Sequence, residues 1–202
     1  RPPMASTIWC GPKNHAVMYY MRGGKVLNFV GCVERPWEEE SWTARKPWSE
    51  LSADYEGWHP MVRAPIEAAD KDQCFRWALN NRKPVMTWCT SRVALLGDSV
   101  HATLPYMAQG AAMAIEDAAI LSRALLLDAP LQDRLKVYEQ HRAPRAARVV
   151  NESTEMGELY HIADAADMKQ AFKDRNIAAS RNNWLYPYHP WTVDIERPFE
   201  GV

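Results

Sequence analysis

The stretch from Arg92 to Leu125 constrains this chain most, because it joins a short apolar run to a long helical pattern through a turn that opens on glycine. Arg92-Val93-Ala94-Leu95-Leu96 has the length and β-branched or aliphatic make-up of a buried strand. Gly97 follows, a residue free to adopt backbone angles closed to others, and Asp98 sets a carboxylate at the strand's C-terminal edge. A helix is predicted to begin near Gln109-Gly110 and to carry Met113, Ile115, Ala118, Ala119, Leu121, Ser122 and Leu125, with Glu116 and Asp117 in its early turns. Backbone N–H groups at such a start have no partner inside the helix, so they face whatever anionic group lodges in the turn.

Before this segment the pattern is that of a sheet. Ala16-Val17-Met18-Tyr19-Tyr20-Met21 and Lys25 to Val33 flank Arg22-Gly23-Gly24, which predicts a hairpin, and Thr7 to Gly11 predicts a further strand. From Glu34 to Ala53 the chain is charged and rich in tryptophan, with Pro36 and Pro47 as breakers, and short helices over one sheet face are expected. Met61 to Ala69 reads as helix despite Pro65, and Phe75 to Leu79 and Val85 to Trp88 read as strands. After Pro130 a second long helix carries Leu131, Leu135, Tyr138, Val149 and Met156, with Pro144 expected to kink or divide it. Asn182 to Val202, with Trp184, Tyr186, Tyr188 and Trp191, is expected to form an extended aromatic strap. The regions are therefore drawn as 1–90, a sheet region; 91–128, the strand, turn and helix; and 129–202, helices and tail.

A chain of 202 residues can bury a substantial core, as one large or two small domains. Its net charge of -1 and scattered Lys and Arg argue against nucleic acid and acidic membrane surfaces as partners. No apolar run approaches the roughly 20 residues that span a bilayer, and Arg1-Pro2-Pro3-Met4 does not resemble a signal peptide, so a soluble, cytoplasmic protein is expected. Cys10, Cys32, Cys74 and Cys89 are widely separated without metal-ligand spacing, which favours reduced thiols and no metal. Nine tryptophans suit core packing, or the walls of a cavity.

Gly97-Asp98, Pro105-x-x-x-Gln109-Gly110 and Ala114-x-Glu116-Asp117-Ala118, in register, resemble the second flavin-binding motif of the single-component FAD-dependent aromatic hydroxylases. The likeness is greatest to salicylate hydroxylase and its relatives acting on hydroxybenzoates and hydroxynicotinate. The resemblance implies a mixed α/β (α+β) architecture with a mainly antiparallel substrate-side sheet, a flavin-contacting strand-loop-helix and C-terminal helices. It implies FAD as cofactor, NAD(P)H as transient reductant, and hydroxylation of a small phenolic acid by O₂ through a flavin C4a-hydroperoxide, with loss of CO₂ from a salicylate-type substrate. Asp98 would bind a ribityl hydroxyl, and Pro105, Gln109, Gly110 and Ala111 would line the flavin, the helix start stabilising charge on the reduced ring. The bland alternative for Asp98 is a surface helix cap.

Gly11-Pro12-x-x-His15-x-x-x-Tyr19 resembles the family segment that faces the aromatic substrate, which makes His15 the candidate base and Tyr19 a neighbour on the same strand face. Tyr106 is a candidate for the substrate pocket or for plain packing. His101 sits in the motif, where holding the loop's shape is preferred to catalysis. One family feature has no counterpart here: no Gly-x-Gly-x-x-Gly turn precedes a helix to bind the ADP half of FAD, and the sole double glycine is Gly23-Gly24. The resemblance is thus to the C-terminal half of a longer enzyme, inactive without an N-terminal dinucleotide-binding half, which could act as a separate partner fragment; a homo-oligomer is also open. Rival readings are a hydroxylase of polyprenylated phenols, another flavin oxidoreductase on this scaffold, or a non-catalytic module that pairs with another chain.

Overall fold

A computed structural model describes residues 2–37, 39, 41–175 and 183–196. Their contacts gather into two compact units, one formed by Arg1–Leu79 with Leu159–Gln170, the other by Asn80–Glu158 with Ala171–Val202.

In the first unit, strands β1 (Thr7–Gly11), β2 (Asn14–Met21) and β3 (Val26–Val33) form an antiparallel sheet in the order β1-β2-β3, with the predicted hairpin at Gly23-Gly24. Both glycines have positive φ, the conformation that the tight turn needs. Register puts Cys10, His15 and Cys32 abreast, then Ile8, Val17 and Val30, then Tyr19 opposite Asn28. Period-two alternation therefore assigns one face to His15, Val17 and Tyr19 and the other to Ala16 and Met18. The second face is buried. Tyr55, just after helix α1 (Trp48–Asp54), and Val62 and Ile66 of helix α2 (Pro60–Ala68) fill its core, with Trp48, Leu51 and Trp58 at the margin. The first face leaves Ile8, Tyr19, Met21 and Val26 partly open.

Helix α2 starts where Pro60 meets its need at the first position, with the His59 ring accepting from the Met61 N–H at 3.2 Å. The expected helices after Glu34 reduce to α1, preceded by strand β4 (Ala44–Arg45), which pairs with β5 (Phe75–Arg76). Of the expected strand from Phe75 to Leu79 these two residues alone are paired.

The second unit corrects two strands. Val85 to Trp88 and Arg92 to Leu96 form no ladder: a single bridge joins Cys89 to Ala94, and the N–H groups of Trp88 and Cys89 donate to the Glu139 carboxylate instead, at 2.5 and 2.8 Å. An apolar run becomes a strand when its backbone groups find neighbours, and here they find a side chain and a tight turn. Val93, Leu95 and Leu96 are left exposed. The turn beyond contains a short helix α3 (Asp98–His101) and a 3₁₀ turn at Pro105–Met107, and helix α4 runs Gly110–Ala124 as expected. Helix α5 spans Leu131–Tyr160, with its last two residues in the first unit.

Pro144 does not divide α5. An interior proline costs about 3 kcal/mol, but Tyr138, His141, Arg142, Ala143, Arg145, Ala146, Val149 and Val150 around it are all buried, and that packing outweighs the loss. Met113, Ile120 and Ala124 of α4 share a core with Tyr138, Ala146 and Val149. Helix α6 follows at Ala165–Asp174. Residues 183–196 form turns, not the expected extended strap, and bury Leu185 and Ile195 in that core; the rest of the tail lies outside the described residues. Among the described residues, no helix is long and apolar enough to cross a membrane, and no group of His, Cys, Asp or Glu is placed to hold a metal.

Candidate functional site

In the second unit Gly97 takes φ +63° and ψ −147°, a region that only glycine occupies without strain, and so turns the chain into α3. Asp98, the next residue, is exposed, and no hydrogen bond engages its carboxylate among the described residues. Pro105 opens the 3₁₀ turn, Ala108 closes it in the left-handed conformation, and Gln109 leads into α4 with its side-chain amide on the Met107 carbonyl at 3.3 Å. No side chain caps α4. Its first internal bond is from the Met113 N–H to the Gln109 carbonyl, so the N–H groups of Gly110, Ala111 and Ala112 stay available for an external acceptor. Crowding around Gly110 is slight, since a methyl group there would meet only the Thr103 Cγ2, at 3.8 Å. The Tyr106 ring lies over Gly157 of α5, where an added Cβ would sit 2.6 Å from Tyr106 Cε2.

A buried ionic network holds this turn in place. Asp117 is wholly buried and accepts from the Gly97 N–H (2.9 Å) and His101 Nε2 (2.6 Å) on one oxygen and from Arg142 Nε (2.8 Å) on the other. Glu116 receives Arg142 at 2.8 Å and Arg145 at 2.8 and 2.9 Å. Arg145 also reaches the Leu185 carbonyl at 3.0 Å and lies 3.8 Å from the centre of the Tyr188 ring. Burial raises the Asp117 carboxyl, but the His101 hydrogen bond, the Arg142 charge and the Gly97 N–H together bring it below the usual carboxylate range. Since a carboxylate only accepts, His101 Nε2 carries the proton, and the ring locks α3 to α4. Loop shaping is what this geometry gives His101.

In the first unit His15 is fully buried. Its Nδ1 lies 2.8 Å from His161 Nε2, and His161 Nδ1 lies 2.5 Å from Glu34 Oε1. The Tyr160 ring is 5.1 Å away, and the Tyr55 hydroxyl donates to the His15 carbonyl at 2.7 Å. Burial, followed by the charge of His161, lowers the His15 imidazole to about 4. Cys10 and Cys32, beside it in the sheet, are pushed up to about 11 by burial. Tyr19 lies two side-chain steps along the same face and is 38% exposed. His15 and Tyr19 belong to the first unit, and Asp98, Pro105, Tyr106, Gln109, Gly110 and Ala111 to the second.

The sequence matches the model of the family described as FAD binding domain over residues 5–153. The chain belongs to this FAD-binding family. It is 38% identical over 195 residues to 3-hydroxybenzoate 6-hydroxylase 2 of Aquipseudomonas alcaligenes, covering 94% of this chain and 59% of that protein. It is 40% identical over 147 residues to 6-hydroxynicotinate 3-monooxygenase of Bordetella bronchiseptica, covering 70% of this chain and 37% of the relative. The fold is similar to that of a salicylate hydroxylase substrate complex, with a TM-score of 0.71 and 26% identity, over 92% of this chain and 47% of the other. The chain spans about half the length of the curated relatives it matches.

The motif residues fit the cofactor of this FAD-binding family. An exposed carboxylate with no partner among the described residues suits a polyol hydroxyl, and uncapped N–H groups at a helix start suit carbonyl oxygens that gain negative charge. The pair Glu116–Asp117 reads in the sequence as early-turn acids of a helix and as part of a flavin motif, and nothing in that pattern names Arg142 as their partner. Two arginines three residues apart, on a helix face otherwise filled with Tyr138, Ala146 and Val149, were the available sign that acids must meet them. His161 and Glu34 left no such sign, because 127 residues separate them.

Proposed function

We propose that this chain provides the ribityl and ring-facing half of an FAD site and the substrate-side sheet of an aromatic hydroxylase that uses NAD(P)H and O₂. The observation that carries the reading is the pairing, inside the family-matched segment, of an exposed Asp98 that has no hydrogen-bond partner among the described residues with the uncapped start of α4. FAD, when bound, supplies the redox and oxygen-activating chemistry. Asp98 would hold a ribityl hydroxyl, Gly110 and Ala111 would donate their N–H groups, and Pro105 and Gln109 would shape the approach. With no Gly-x-Gly-x-x-Gly turn in the chain, the adenosine and pyrophosphate half would be held by residues other than these.

The proposed substrate is a small phenolic acid of the hydroxybenzoate or salicylate type, in keeping with relatives named for 3-hydroxybenzoate and 6-hydroxynicotinate. Its ring would use the face that carries Val17 and Tyr19, and His15 is the group there able to accept the phenol's proton, which raises electron density at the ortho and para carbons. FAD titration followed by flavin fluorescence and thermal shift tests the cofactor half, with Asp98→Ala expected to weaken binding about tenfold. NAD(P)H oxidation with salicylate, 3-hydroxybenzoate and 6-hydroxynicotinate tests the rest. Hydroxylated product from one of these acids supports the reading; FAD binding unaffected by Asp98→Ala, or no product from any phenolic acid once a dinucleotide-binding half is supplied, refutes it.

A further inference from the structure

We propose that His161 and Glu34 are positioning residues for His15, fixing its tautomer with Nε2 as the proton-accepting nitrogen and carrying an accepted proton outwards to solvent. The inference rests on the phenolic-acid reading above, and every group in it belongs to the first unit. The Glu34 side chain is 58% exposed and His161 9%, while His15 is fully buried, so the three groups form a graded path from surface to interior.

Hydrogen-bond polarity sets the direction. The Glu34 carboxylate can only accept, so His161 Nδ1 carries a hydrogen and donates it. When His161 is neutral its lone pair is at Nε2, and the 2.8 Å contact takes its hydrogen from His15 Nδ1–H. His15 Nε2 is left as an acceptor. One carboxylate thus sets the protonation pattern of two rings, and a histidine placed alone on β2 would not have its tautomer chosen for it.

The same chain explains how a ring that resists charge can still take a proton. Burial and the neighbouring His161 hold the His15 imidazole near 4, so a lasting imidazolium is disfavoured. The described groups packed beside it on the sheet and α5 favour their neutral forms: Cys10 on β1 and Cys32 on β3 have raised thiols, Tyr160 at the end of α5 is raised to about 12 chiefly by burial, and Tyr55 gives its hydroxyl to the His15 carbonyl. In the relay, the phenol O–H bond breaks as an N–H bond forms at His15 Nε2. The Nδ1 proton of His15 passes to His161 Nε2, and the Nδ1 proton of His161 passes to Glu34 and on to water. Neither ring keeps the charge. Reverse passage restores both tautomers when the product hydroxyl regains its proton.

Long-range ¹H–¹⁵N correlation spectra of the full chain, with each imidazole assigned by His→Gln substitution, test the arrangement directly. His15 and His161 are expected as Nδ1–H tautomers. Glu34→Ala should turn both to Nε2–H, and Glu34→Gln, whose amide oxygen still accepts, should retain the original pair. Circular dichroism checks that each variant folds. In turnover, Glu34→Ala should lower kcat/KM at least tenfold at neutral pH and recover as pH rises through the substrate's own phenol ionisation, which a merely structural contact would not do. An Nε2–H tautomer at His15 in the unaltered chain, or tautomers indifferent to Glu34→Ala, overturns the relay. Absence of hydroxylation with any phenolic acid, once a dinucleotide-binding half is supplied, would instead refute the substrate reading and leave the tautomers as measured.

Discussion

Asp117→Asn is the substitution that best tests how the flavin-motif turn is held. The carboxylate is wholly buried, and its two oxygens receive three donors: Gly97 N–H, His101 Nε2 and Arg142 Nε. An amide of the same size offers one accepting oxygen, so its NH₂ must face either Arg142 or the Gly97 and His101 pair, donor against donor. Hydrogen bonds to charged groups contribute about 1.5–3 kcal/mol each, and breaking one side of a buried ion pair costs about 3–5 kcal/mol. Arg142 keeps Glu116 at 2.8 Å, which moderates the loss. The expected destabilisation is therefore about 3–4 kcal/mol, a large part of the 5–15 kcal/mol typical of a folded domain. Urea unfolding followed by far-ultraviolet circular dichroism gives the magnitude. Hydrogen exchange at the Gly97 and His101 amides should show the local opening, because both donate within this turn. Asp98→Asn, at an exposed acid in the same motif, should stay within about 0.5 kcal/mol of the parent chain. An Asp117→Asn loss below about 1 kcal/mol, or one no larger than that of Asp98→Asn, would refute the assignment of Asp117 as the group that holds the turn.

Gly97→Ala should cost about 1–3 kcal/mol through backbone strain alone, since its Cβ would meet nothing nearer than Ala114 Cβ at 3.5 Å; chemical denaturation measures it, and a neutral result would mean the turn can relax. Gly157→Ala would press on Tyr106 and should cost about 1–2 kcal/mol net of the helix preference for alanine; in a double-mutant cycle Tyr106→Leu should recover most of that loss, and additive losses would count against the contact. His15 binds its proton near 4 in the folded chain, against the ordinary 6.5, so the unfolded state holds more protons between those values. Stability from this group is therefore complete above about pH 6.5 and declines by an order of about 3 kcal/mol as pH falls towards 4. Urea midpoints at pH 7 and pH 4.5 should differ less in His15→Gln than in the parent, and equal differences would sink the attribution.

What the sequence reveals here divides by the range of the interactions that decide each element. The Gly23-Gly24 hairpin, the helix read over Met61 to Ala69, found as α2 at Pro60–Ala68, and the beginning of α4 at Gly110 follow from residues adjacent in the chain and are found at or within a residue of where turn chemistry and periodicity put them. The run Arg92 to Leu96 has strand composition, yet composition does not supply a neighbouring backbone, and the segment makes one bridge to Cys89 while the N–H groups of Trp88 and Cys89 go to Glu139, about fifty residues away. Pro144 works in the opposite direction as far as division goes: its local penalty is real, but Arg142 and Arg145 beside it are buried against acids of α4 and the helix is not divided there. The candidate site follows the same rule. Asp98 and Gly110 stand out as candidates because the motif residues lie in one short stretch, and the exposure of Asp98 and the uncapped helix start at Gly110 are local properties. His15 is legible as a histidine on a strand, whereas its chemistry is set by His161 and Glu34, 146 and 19 residues distant in the chain. Pattern names the residues that could react; the partners that choose their protonation state come only with the fold.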